Sequence, residues 1–332
     1  VTEKRDVDYL FISARVRALE MRLLNREQME QMIEAHTNED AMRILQDHGY
    51  PEEDEVNVNT VNDMLAAVRE DTLKDFQMFA PDPRFIDVFK CKYDYHNAKV
   101  LLKSEIMETS PDRLLIPSGR VAPEVLEEAV RTQEVRILPH ILGLSLSEAR
   151  ETLATTKDPQ KGDFVLDKAY FADALELALS TGSTFLTGYV RTLIDAANIK
   201  TIVRMQRMGK GLDAMESVLF EGGNADKGRI YSMMSSGAEL EEIFSVSTMK
   251  LAAESGSAAA RGAGLTDFEK QVDNAVNAYI TNAKYQGFGD APMVGYLAAR
   301  EAEFTAVRII MTGRLAGLPA EVIRERLRDA YV

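Results

Sequence analysis

A carboxylate, an amide and a cation recur in this chain at one spacing: Asp94, Asn97 and Lys99, then Asp195, Asn198 and Lys200. A degenerate third copy reads Glu303, Ala306 and Arg308. Such groups can serve catalysis, or they can hydrogen-bond one another, a neighbouring helix end or a buried backbone group. Placed on a helix at about 100° per residue, Asp94, Asn97, Ala98 and Leu101 share one face, and Tyr95, Lys99 and Leu102 share another. Asp195, Asn198, Ile199 and Ile202 repeat the first face. Polar groups set among apolar ones need partners, since stranding one in the interior costs about 1–3 kcal/mol. The motif is therefore read as a structural network between helices, with Asp94, Asn97, Asp195, Asn198 and Glu303 as its members. Lys99, Lys200 and Arg308 either snorkel along the surface or face a partner.

Other chemistry is thinly provided for. His36, His48, His96 and His140 are scattered, and no pairing of His, Cys or Glu has the spacing of a metal site. His96 follows Cys91 by five positions, which sets the two about 140° apart on a helix. Gly209-Lys210-Gly211 lacks the upstream glycine and the following Ser or Thr of a phosphate loop, and no strand precedes Gly262-Ala263-Gly264. No catalytic residue, metal or cofactor is expected. Met205, Met208, Met233, Met234 and Met311 are read as core filling, with an adaptable contact surface as the alternative.

The elements that carry the motif are helices. Ala, Leu, Met, Glu, Arg and Lys dominate, and only 57–61 and 136–138 have any strand flavour, so the chain is expected to be all-α with roughly 70% helix. From Tyr9 to Leu24 the positions Leu10, Ala14, Val16, Leu19, Leu23 and Leu24 approximate an apolar stripe. Each third of the chain shows short helices first (26–35 and 38–46; 123–131 and 145–154; 227–234 and 238–244). A long helix follows (61–79, 163–179 or 266–283), then a turn with Pro or Gly, then the long helix bearing the motif. Two antiparallel long helices per third are the expected core. The stretch 254–264, rich in Ala, Ser and Gly, reads as a flexible surface loop or a poorly packed segment.

The motif copies begin at 94, 195 and 303, a period of about 100 residues, too long for a short-repeat solenoid and suited to three copies of a multi-helix unit. The expected units are 1–108, 109–209 and 210–332. At 332 residues, 45% hydrophobic and 28% charged, the chain can bury substantial cores. A net charge of −14 argues against a general binder of nucleic acid or anionic lipid. A single cysteine, Cys91, fits a reducing compartment, and no apolar run reaches the roughly 20 residues that span a bilayer. A cytoplasmic protein is expected, with any membrane association made through partners.

The string Tyr93-Asp94-Tyr95-His96-Asn97-Ala98-Lys99-Val100-Leu101-Leu102-Lys103 resembles the signature of the C-subunit family of V-type ATPases, which includes the d subunit of the eukaryotic V-ATPase. Ser13-Ala14-Arg15-Val16-Arg17-Ala18 resembles its N-terminal motif, with Ser13 where Asn is usual. Gly289-x-x-Pro292-x-x-Gly295-Tyr296, the run from Glu303 to Ile310, and Gly317-Leu318-Pro319 resemble its C-terminal third. The resemblance implies three helical domains in a pseudo-threefold funnel. It implies a non-catalytic socket between the central stalk (the D and F subunits) and the membrane proteolipid (c/K) ring, coupling ATP chemistry to ion translocation. The cytoplasmic part of the membrane stator is a further implied partner, and the location is peripheral on the cytoplasmic face. Arg15, Arg17, Lys99, Lys200 and Arg308 are the expected partner-contact groups. An adaptor of helical repeats unconnected with ATPases is the alternative, and a helical enzyme a more distant one.

Overall fold

The structure, a computed structural model, describes residues 6–332. It is all-α: no strand occurs among the described residues, and helix makes up 74% of them. The two stretches with strand-like composition fold otherwise. Val135–Ile137 is a single 3-10 turn, and 57–61 opens the helix Val58–Phe79. Asn57 starts that helix by accepting the amides of Asn59 and Thr60 on Oδ1, while its own amide donates to Thr60 Oγ1. Side-chain capping here overrides the β-branched composition.

The motif lies on three long helices, Arg84–Met107, Thr184–Arg207 and Asp290–Leu315. The described chain forms two compact units. One runs up to Arg69 and resumes over Arg191–Leu219 and Gly223–Val332; the other comprises Glu70–Val190 with Phe220–Gly222. The spans 1–108, 109–209 and 210–332 are sequence periods that cut across these units, and their folding as three like domains stands as a proposal.

Long helices meet within the last third, where Leu265–Thr281 contacts Asp290–Leu315, and they also pack across periods. Arg84–Met107 packs most extensively along Pro159–Thr181, a helix of the next period. In the larger unit, the second motif helix contributes Ile199, Ile202 and Val203 to a core built from Met215, Ile230, Phe244, Phe268 and other residues of the third period. The third motif helix contributes Phe304, Val307, Ile310 and Met311 to a core with Leu24, Met32, Leu45 and Leu65 of the first. The motif helices thus complete the cores of periods other than their own.

Two further expectations are corrected. Leu10 and Ala14 are exposed, while Ile12, Ser13, Val16 and Glu20 form the buried face of helix Leu10–Glu20. Segment 254–264 is no loop over most of its length: Lys250–Ala260 is a helix with Ala252, Ala253, Gly256, Ser257 and Ala259 buried. Small side chains let it approach its neighbours closely, so a Cβ on Gly256 would stand 3.1 Å from both Phe268 and Val203. Met311 is buried, Met205, Met233 and Met234 pack half-buried on the core, and Met208 is exposed.

Close packing at Gly256 makes a prediction. Gly256→Val should lower stability by about 1–3 kcal/mol through overpacking. Thermal unfolding followed by circular dichroism checks this, and an unchanged melting temperature would mean the segment is loosely packed after all.

Candidate functional site

The three carboxylates of the motif do one job. Each accepts hydrogen bonds from backbone amides just ahead of a short helix of the following period. Asp94 takes the amides of Arg120 (2.8 Å) and Val121 (3.0 Å) on Oδ1, immediately before the N-cap Ala122 of helix Pro123–Thr132. Asp195 takes those of Asn224 (3.2 Å) and Ala225 (3.1 Å), before the N-cap Asp226 of helix Lys227–Ser235. Glu303 takes the amide of Leu24 (2.6 Å), before the N-cap Asn25 of helix Arg26–Glu34. A helix start leaves amides unpaired, and a carboxylate is their strongest acceptor.

Geometry explains why the third copy has Glu in place of Asp. The backbone runs so close to the first two carboxylates that a Cβ on Gly119 would collide with Asp94 Oδ1, and one on Gly223 with Asp195 Oδ1. Gly119 and Gly223 each sit two positions before the bonded Val121 and Ala225. The corresponding position before Leu24 is Arg22, which brings a side chain. One extra methylene in Glu303 spans a wider gap.

Each joint also holds side-chain donors. Arg120 donates Nε to Asp94 Oδ2 (2.6 Å) and makes a two-pronged contact with Asp173, at 3.2 and 2.7 Å. Tyr95 donates its hydroxyl to the same Asp173 (3.0 Å), and Cys91 is buried beside them. Burial pushes the Asp94 carboxyl up from its usual range against the opposing pull of Arg120 and two amides. Burial likewise raises the Cys91 thiol and the Tyr95 hydroxyl, with Asp173 adding to both. At the second joint Asn224 Nδ2 takes the donor role (2.9 Å), and burial again raises Asp195. At the third, Tyr50 donates to Glu303 (2.6 Å), Arg300 also donates to it, and the guanidinium lies over the rings of Tyr50 and Phe304.

The remaining motif groups have places of their own. Asn97 exchanges two hydrogen bonds with the backbone of Ile116, 2.8 and 2.9 Å, holding the chain after its own helix. Asn198 is fully buried, and Ala306 is buried in an apolar core. Lys99 is ion-paired to Asp167, Lys200 to Asp273 (2.9 Å), and Arg308 Nε bonds Asn62 (3.1 Å). All three acceptors lie on the long helix of the next period: Pro159–Thr181, Leu265–Thr281 and Val58–Phe79. Arg17 pairs with Glu20 (2.7 Å) and donates to the carbonyls of Ala283 and Gln286, and Arg15 is half-buried.

Sequence reasoning missed Arg120, Asp173, Tyr50 and Arg300. Only the first had a local signal, a cation directly after the Gly119 turn. No cluster of three or more His, Cys, Asp or Glu able to hold a metal occurs among the described residues. His96 is exposed and contacts the carbonyl of Leu114 (3.0 Å).

Removing Arg120 strands two buried carboxylates, so Arg120→Leu should destabilise by about 3–5 kcal/mol at neutral pH. A carboxyl whose folded pKa lies above its unfolded value gains stability as pH falls through that raised pKa. Relative to wild type, the deficit should therefore shrink between pH 7 and about 5. Denaturant titrations at both pH values check the sign. Gly119→Ala and Gly223→Ala should each cost about 1–3 kcal/mol by clashing with a carboxylate, whereas Gly211→Ala, with open space at its Cβ, should stay within about 0.5 kcal/mol. Equal losses at all three would show that the close approach is not what matters.

Residues 12–326 match the protein family described as the ATP synthase (C/AC39) subunit. The C subunit of the V-type sodium ATPase of Enterococcus hirae is 25% identical over 98% of this chain and 99% of its own length. The C subunit of the A-type ATP synthase of Methanocaldococcus jannaschii is 24% identical, covering 96% of this chain and 86% of its own. For the C subunit of the V-type ATP synthase of Thermus thermophilus the identity is 26%, over 70% and 71%. The matched span takes in all three carboxylate joints, from Leu24 to Glu303, and the chain belongs to the ATP synthase (C/AC39) subunit family.

Proposed function

We propose that the chain is a non-catalytic rotor component of a V-type ATPase or ATP synthase, a socket that joins the central stalk to the membrane proteolipid ring. The observation that carries this reading is the end-to-end likeness to relatives named as the C subunits of V-type and A-type enzymes. On this reading the D and F subunits of the stalk enter the socket, the proteolipid ring supports it, and the cytoplasmic part of the stator passes close by. The protein is then peripheral on the cytoplasmic face. No described helix is long and apolar enough to cross a membrane.

The physics of the joints supports a mechanical part. Torque passes through a body without loss only if its segments do not shear, and shear at these joints would strip a buried carboxylate of its amides. Each such loss costs about 1–3 kcal/mol, more where a charge is stranded. Joining successive periods through the motif carboxylates and cations therefore favours a stiff body. We further propose that the three periods, 1–108, 109–209 and 210–332, are like domains disposed about a pseudo-threefold axis. Arg15, Arg17, Lys99, Lys200 and Arg308 remain proposed contact groups, able to exchange an internal partner for an external one.

The test is reconstitution of the complex with and without this chain, measuring ATP-driven ion transport beside ATP hydrolysis. Hydrolysis by the catalytic head should persist without the chain while transport is lost and returns on adding it back. Transport at normal rates in its absence would refute the coupling role and leave an adaptor as the better reading.

A further inference from the structure

Around Asp273, in the larger unit, the chain gathers more positive charge than one acid balances. Lys200 pairs with Asp273 (2.9 Å), and Arg328 pairs with the other oxygen of the same carboxylate (2.9 Å). Arg204 and Arg207 follow Lys200 by four and seven positions on helix Thr184–Arg207, so the three cations fall within about 60° of one another along about 10 Å of helix. Both arginines are exposed. Arg207 donates to the carbonyls of Ala259 and Ala263, which are neutral, and Arg204 has neither a hydrogen bond nor an ion pair among the described residues. The neighbouring charges leave the balance as it is. Glu269 and Lys270, one turn before Asp273, offset each other, and so do Arg326 and Asp329 around Arg328.

Arg204 and Arg207 stand in the last turn, where a cation interacts favourably with the helix dipole. The dipole does not explain why Asp273 has two cations. Asp167, the acid of the equivalent pair at Lys99, has one. If Lys200 turns outward, Asp273 keeps Arg328, whereas Asp167 would lose its only cation, so the exchange at Lys200 strands no charge. Lys200 is also the more exposed of the two lysines, its side chain 40% against 25%.

We infer that Lys200, Arg204 and Arg207 form a docking stripe for an acidic α-helix of another protein of the complex, one whose carboxylates recur at the same one-turn spacing, with Lys200 exchanging Asp273 for a carboxylate of the partner. Local positive charge in a chain that carries −14 selects such a partner, and the same net charge disfavours an anionic bilayer. The inference rests on the proposed place in a multisubunit complex and singles out one of the contact groups proposed there. An anionic bilayer surface and a second copy of the chain are the competing occupants.

The experiment treats the complete complex in its membrane with a water-soluble carbodiimide, which joins an amine to a carboxylate in contact with it, and identifies the joined peptides by mass spectrometry. Arg204→Lys supplies a second amine on the stripe, one with no acid of its own. Expected are links from Lys200, and from position 204 in that variant, to one acidic helical segment of another protein, with yields that fall about tenfold when salt is raised from about 50 to about 500 mM. Arg204→Glu should weaken binding of the chain to a complex stripped of it by about tenfold, and should melt like wild type because the side chain is exposed. Links confined to Asp273 or Glu269, links to a second copy of the chain, or unchanged binding of the Arg204→Glu chain overturn the stripe, and so does binding to phosphatidylglycerol vesicles with no link to a protein. In each of these cases co-purification with the complex leaves the rotor reading intact. Absence of the chain from the complex overturns both.

Discussion

A buried carboxylate must be fully solvated by the protein, and that requirement organises this fold. Asp94, Asp195 and Glu303 are each more than nine-tenths buried, and each finds its donors in the backbone that leads into a short helix of another period. The consequences radiate outward. Amides can reach a buried acid only if the chain passes close, which requires Gly119 and Gly223 or a longer acid. A chain held there fixes where the next helix starts, and so which side chains fill the next core. The cations five residues on repeat the tie at the long helices, through Asp167, Asp273 and Asn62. The two that are ion pairs, Lys99–Asp167 and Lys200–Asp273, contribute about 0–1 kcal/mol each. They fix register more than they add stability, and the buried acids supply the larger part.

Much of this was legible in the sequence. Recurrence of Asp, Asn and Lys at one spacing exposed the repeat, and capping residues with Pro and Gly punctuation located most helices to within a few positions. What stayed hidden was long-range. Nothing near Asp94 in sequence names Asp173, and nothing near Glu303 names Tyr50, because these partners come from helices far along the chain. Packing across periods stayed hidden for the same reason: periodicity says which face is apolar without saying which helix covers it. Two local readings also went astray. The run at 254–264 has a composition shared by linkers and by tightly packed helices, and only the presence of Phe268 and Val203 against Gly256 decides between them. Leu10 and Ala14 fit a stripe on paper, but a helix with two apolar sides leaves one of them out.

The degenerate third copy illustrates how a repeat drifts without losing its role. Glu303 keeps the acid and gains length, while Ala306 gives up the amide. Asn97 uses its amide to hold Ile116 in the chain that follows its own helix. After the third motif helix the chain turns instead into helix Ala320–Arg326, and the residues beyond it strap back. Asp329 exchanges bonds with Asn274 and Asn277, and the carbonyl of Tyr331 accepts from Lys284. With the following segment anchored by these groups, the amide at 306 has no loop to hold, and an apolar side chain there serves the core.

The core shared by Leu24, Met32, Leu45 and Leu65 with Phe304, Val307, Ile310 and Met311 sets the order of events at the ribosome. The helices that hold Leu24 to Leu65 expose an apolar surface whose cover is synthesised more than two hundred residues later, since 65 and 304 are that far apart. Local helices can form as they emerge, but their burial waits for the helix that carries Phe304 to Met311. Contacts of such separation slow folding and lengthen the time a sticky surface stands open. Until that helix emerges, the nascent chain offers chaperones an apolar surface that would otherwise aggregate.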